Sequence, residues 1–128
     1  EFDALDPSAP QSEKFEFLQT AKYCNLTGGY KTLSGNLTGY EWWENLTFYF
    51  RENELFFVFI NSGAEACEDE YRIYFDKNEQ VIKILHKTND CDPTASNLTS
   101  REITDISEQT AILEDLYANF DKLMNMFP

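Results

Sequence analysis

The feature that most constrains this chain is one pattern used twice. Phe48-Tyr49-Phe50-Arg51-Glu52-Asn53-Glu54-Leu55-Phe56-Phe57-Val58-Phe59 is matched, 25 residues on, by Ile73-Tyr74-Phe75-Asp76-Lys77-Asn78-Glu79-Gln80-Val81-Ile82-Lys83-Ile84. In each copy an aromatic or β-branched run meets a polar quartet with Asn and Glu and then a second apolar run. That order is strand, tight turn, strand. Asn53 and Asn78 supply side chains that tolerate the left-handed backbone such turns need.

A two-residue loop at Glu52-Asn53 sets Phe50 opposite Leu55, Phe48 opposite Phe57 and Leu46 opposite Phe59, so one face of the first hairpin is wholly apolar. Asn45, Thr47, Tyr49, Phe56, Val58 and Ile60 then share the other face. In the second hairpin the same logic groups Tyr71, Ile73, Phe75, Ile82 and Ile84, with Glu70, Arg72, Tyr74, Val81, Lys83 and Leu85 behind them. Two hairpins with one apolar face each predict a single antiparallel sheet with one buried side.

That side needs a cover, and the C-terminal segment supplies it. Leu113, Leu116, Tyr117, Phe120, Leu123, Met124 and Phe127 recur at helical spacing behind Asp105-Ile106-Ser107-Glu108, which resembles a capping box. The fold class expected is therefore α+β: about four to six antiparallel strands, near 37–50, 55–61, 70–76 and 80–86, packed against a helix near 106–126. Ser12-Glu13 opens a short N-terminal helix to about Cys24, although the alternation of Phe15 and Phe17 keeps a strand in contention. Glycines at 28, 29, 35 and 39 break residues 28 to 43 into one or two short strands. Residues 1–11, with two prolines, read as a flexible leader, and 12–128 as one domain.

Charge narrows the partners. Ten Lys and Arg against 23 Asp and Glu give a net charge of −13, which argues against nucleic acid and anionic membranes, since a phosphate backbone needs a basic face. No apolar run is long enough for a membrane span, because Arg51 to Glu54 interrupt Leu46 to Ile60. An acidic surface steers cationic ligands or basic proteins, or simply confers solubility.

Cys67 precedes the third strand and Cys91 follows the fourth, so closure of the second hairpin brings them together, and a Cys67–Cys91 disulfide is expected. Cys24 is left over, either free or part of another pairing. A disulfide implies export, secreted or periplasmic; three reduced thiols in a cytosolic protein is the alternative. Asn-Leu-Thr occurs at Asn25, Asn36, Asn45 and Asn97, four N-glycosylation acceptors if the chain passes through a eukaryotic secretory route.

Chemistry-bearing patterns are few. His86, the one histidine, falls opposite Asp69, and no serine or cysteine is placed as a nucleophile, so no catalytic residue is assigned. A Cys67–Cys91 bridge gathers Glu65, Glu68, Asp69, Asp90 and Asp92, enough carboxylate for a calcium ion or merely an acidic rim. No cofactor motif occurs. Tyr40-Glu41-Trp42-Trp43-Glu44 holds both tryptophans. Neighbouring strand residues face opposite ways, so one is expected in the core and the other exposed, which marks Tyr40, Trp42 and Trp43 as a candidate contact surface.

The aromatic hairpins, Phe48-Tyr49-Phe50 with Leu55-Phe56-Phe57-Val58-Phe59 and Tyr71-Arg72-Ile73-Tyr74-Phe75 with Val81-Ile82-Lys83, resemble a pattern in small exported bacterial proteins of uncharacterised function. That resemblance implies secreted or periplasmic placement and an antiparallel sheet with flanking helices. The function expected is an exported, non-enzymatic binding module whose partner is a protein, a glycan or a small apolar ligand. The alternative is a carrier holding an apolar ligand between the aromatic sheet and the terminal helix.

Overall fold

A computed structural model describes residues 13–16, 19–39, 41–94 and 98–126. The expected leader, Tyr40 and Asn97 lie outside the described residues. Eight antiparallel strands form one sheet in chain order: β1 (Glu13–Glu16), β2 (Gln19–Asn25), β3 (Tyr30–Gly39), β4 (Trp42–Arg51), β5 (Glu54–Ala64), β6 (Cys67–Phe75), β7 (Val81–Thr88) and β8 (Thr99–Glu102). One helix, α1 (Ile106–Met124), follows. The architecture is α+β as expected, with more strands than four to six.

The described residues of the expected N-terminal helix, 13–16 and 19–24, are strand instead. Gln19–Asn25 pairs along its whole length with β3, Ala21 opposite Gly35 and Tyr23 opposite Leu33. Ala21 is buried among the core residues while Cys24 lies on the other face. The apparent helical spacing of Ala21 and Cys24 gives way to pairing with β3 along the whole segment and with β1 over Gln19 to Lys22. Likewise the span expected as one strand near 37–50 is divided between β3 and β4, with Glu41 at a φ of 61° in the reversal.

Both hairpins carry a bulge that the sequence did not disclose. At its tip the first keeps the expected pairing, Phe50 opposite Leu55, with Glu52 and Asn53 both at positive φ. Beyond it, Tyr49 pairs with Phe57 and Phe48 with Val58, leaving Phe56 as the extra residue. A one-residue slip exchanges the two faces of the strand. Val58 and Ile60 therefore join the core, and Phe57 and Phe59, expected inside, face outward.

The second hairpin shifts between Tyr74 and Phe75, so Ile84 is buried opposite Ile73 while Ile82 is 63% exposed. His86 consequently sits opposite Tyr71, not Asp69. In its turn the left-handed residue is Glu79, not Asn78. Asp76 Oδ1 accepts from the backbone N–H of Asn78 and of Gln80, which closes the loop without a positive φ at Asn78.

Helix α1 covers the apolar face. Asp105 caps it by accepting from the Glu108 N–H. Leu116 and Leu123 are buried against Leu33, Leu46, Phe48 and Ile73, and the Phe120 ring meets that of Phe48 edge-on at 5.1 Å. Gly35 permits this approach, since a Cβ there would fall 2.4 Å from Leu123 Cδ2. Arg101 of β8 pairs with Glu108 at 2.7 Å, and Gln109 Nε2 donates to the Ile103 carbonyl. These tether the helix start to the last strand.

Candidate functional site

At the end of the sheet where β4 begins and β5 ends, α1 does not fill the apolar side, and a cleft of about 420 Å³ remains. Period-two alternation decides which strand residues reach it. Leu46 and Phe48 face the helix, so Glu44 and Trp42 on the same strand face it too; Ser62 and Asp69 follow from Ile60 and Ile73 in the same way. From the helix come Asp115, Asn119 and Lys122, spaced so that they share one side of it.

Asn119 is the buried polar residue of the site, and its Nδ2 donates to Glu44 Oε1 at 2.9 Å. Burial pushes the Glu44 carboxyl up, the Asp115 charge raises it further, and Lys122 partly opposes them. Three carboxylates, Glu44, Asp69 and Asp115, thus line the cleft together with one ammonium, Lys122. Behind Asp69, His86 Nε2 lies 2.7 Å from Asp69 Oδ1, and the imidazole stacks on Tyr71 at 4.4 Å. Burial, followed by the charge of Asp69, holds the Tyr71 hydroxyl above the ordinary tyrosine range. Among the described residues His86 Nδ1 is buried and has no hydrogen-bond partner.

The tryptophans do not divide into one core and one exposed ring. Each covers a cross-strand glycine: Trp42 lies over Gly39 on the helix side, and Trp43 over Gly63 on the opposite face. Trp42 is 44% exposed and forms the aromatic wall of the cleft. Trp43 is half-buried and touches the cleft at its rim.

The Cys67–Cys91 disulfide is formed and Cys24 is free. Asn89 organises the loop around it: its Oδ1 accepts from the N–H of Glu68 and of Cys91, and its Nδ2 donates to the carbonyls of Ala66 and Asp92. The five acids nearby are not brought together. Glu65, Glu68, Asp90 and Asp92 point into solvent, Asp92 capping Thr94, while Asp69 turns to His86. Among the described residues no three His, Cys, Asp or Glu side chains form a group able to hold a metal ion. No described helix is long and apolar enough to cross a membrane.

Sequence reasoning singled out Trp42 and Trp43 as a contact surface and, separately, Asp69 within an acidic rim, but missed Glu44, Asp115, Asn119 and Lys122. The parity of Glu44 with Leu46 and Phe48 was an available signal, as was the position of Asn119 between Leu116 and Leu123. No protein-family model, curated protein or solved structure matches this chain.

Proposed function

We propose that this is a non-enzymatic binding protein that takes a small organic cation with an apolar or aromatic body into the cleft between β4, β5 and α1. The observation that carries the reading is the lining: three carboxylates, one ammonium and the face of Trp42 around about 420 Å³. That volume lies within the range of small-molecule sites. A half-buried carboxylate strengthens its hold on a positive charge as water is displaced, and an indole face adds a cation–π contact. The net charge of −13 favours arrival of such a ligand.

The disulfide supports an oxidising, exported setting. The carrier of a wholly apolar ligand has less support. A smaller pocket beside the C-terminal turns of the helix, where Tyr23, Leu33, Phe50, Phe120 and Met124 are joined by Lys31 and Asn53, holds about 140 Å³, and four of the residues around the larger cleft carry charge.

Titration calorimetry with an arylalkylamine, its neutral alcohol analogue and a fatty acid tests the proposal. The amine is expected to bind at least ~10-fold more tightly than the alcohol, the worth of about 1.4 kcal/mol of charge interaction. Asp115→Asn and Trp42→Ala each weaken it. Equal binding of amine and alcohol, or preference for the fatty acid, overturns the cation reading.

A further inference from the structure

The face of the sheet turned away from the helix carries two of the Asn-Leu-Thr triplets side by side, and the structure distinguishes them. Asn36 and Asn45 are direct cross-strand partners. Asn36 Nδ2 donates to Asn45 Oδ1 at 2.6 Å, and Asn36 Oδ1 accepts from Thr38 Oγ1 at 2.7 Å. Both polar ends of Asn36 are therefore engaged, whereas Asn45 is exposed and uses only its oxygen. The amide nitrogen of Asn45 is open to solvent. Asn25 is half-buried.

Asn45 also has an indole two residues before it, where Asn36 has Ser34 and the half-buried Asn25 has Tyr23. In a strand, residues two apart share a face, so Trp43, Asn45 and Thr47 form one row on the outer side of β4. The Trp43 indole is fixed there over Gly63, where the absence of a Cβ lets the ring settle; a Cβ would lie 2.8 Å from three of its atoms. A hexose ring has an apolar face of axial C–H bonds that packs on an aromatic plane, and a positioned indole two residues before the acceptor offers that plane to the first sugar.

We propose that Asn45 is the principal glycan-bearing residue of this chain and that Trp43 is the platform on which its first N-acetylglucosamine lies. The co-reactant is an oligosaccharide linked to a lipid diphosphate. The bond from its anomeric carbon to the diphosphate oxygen breaks and a bond from that carbon to Asn45 Nδ2 forms. One amide proton is lost to a base, and the lipid diphosphate leaves. The second Nδ2 proton remains, and Asn45 Oδ1 keeps the bond from Asn36. Asn45 lies on the face opposite Glu44 and Trp42, and Trp43 touches the cleft only at its rim, so site occupancy at Asn45 is read independently of ligand binding.

The test is secretion of the full chain from a eukaryotic cell line, with glycopeptide mass spectrometry for site occupancy. After trimming to the first sugar, proton NMR shows whether that sugar feels an indole ring current. Asn45 is expected to be occupied in most molecules and Asn36 in few, with the sugar protons shifted upfield. Trp43→Ala removes the shift; Trp43→Phe, which keeps an aromatic plane and guards against a folding defect in the alanine variant, retains part of it. An unoccupied Asn45, Asn36 occupied as fully as Asn45, or sugar shifts unchanged in Trp43→Ala overturns the proposal.

Discussion

Asn119 of the helix donates a hydrogen bond to Glu44 of β4 at 2.9 Å, joining residues 75 positions apart. The bond satisfies a buried amide on one side and a half-buried carboxylate on the other, at the point where apolar packing gives way to the cleft. Removing one partner strands the other. Asn119→Ala is therefore expected to cost about 1–3 kcal/mol in urea denaturation, while Asn119→Asp, which sets two carboxylates together, costs more at neutral pH than in acid.

Glu44 itself gives the fold a pH dependence of predictable sign. Burial, aided by Asp115, holds its folded pKa above the ordinary glutamate value of 4.5. The folded state then grips the proton more tightly than the unfolded state does. The resulting stability is fully present below 4.5 and is lost as pH rises through the raised folded value. Glu44→Gln keeps an acceptor for Asn119 without the charge, so its melting temperature relative to the parent should rise between about pH 4 and about pH 7.5. A difference that is the same at both ends would show that the charge carries no folding penalty.

The bulge at Phe56 makes opposite demands of adjacent residues. Ile60 is buried, and Phe59 lies on the outer face with Arg72 Cζ 5.5 Å above the centroid of its ring. Ile60→Ala should cost about 2–5 kcal/mol. Phe59→Ala, which forfeits an exposed-side ring contact, should cost roughly 1 kcal/mol. Comparable losses at the two positions would contradict the observed register.

Gly63 and Gly39 give way to tryptophan rings. Gly63→Ala drives a methyl group into the Trp43 indole, which must lift from the sheet. The expected cost is about 1–3 kcal/mol, with a red-shifted emission as that ring enters water. Unchanged stability and emission would mean the indole does not rest there.

Opening the Cys67–Cys91 link, which spans a sequence separation of 24, frees the ends of β6 and β7. Cys67→Ser with Cys91→Ser should lower stability by about 3 kcal/mol. Peptide mapping of the unreduced parent should return the linked pair with Cys24 unpaired.

The elements with strong local periodicity were legible in the chain alone. The repeated apolar runs of 48–59 and 73–84 gave two hairpins, the stripe from Leu113 to Leu123 gave the helix that covers them, and the spacing of Cys67 and Cys91 gave the disulfide. These rest on interactions between residues near in sequence, or on ends that a hairpin must join. Tertiary structure alone decided β2, because the segment from Gln19 carries a weak pattern that only β3 resolves into a strand. It also decided both bulges, since one extra residue leaves composition untouched yet changes which residues face the core, turning Phe57 and Phe59 outward in β5 and Ile82 outward in β7. The cleft depended on both: Glu44 is legible from parity within its strand, but Asp115, Asn119 and Lys122 reach it only once α1 has docked across the sheet. No local rule encodes where a helix sets down along an apolar face, because that position is fixed by side-chain packing between segments remote in the chain.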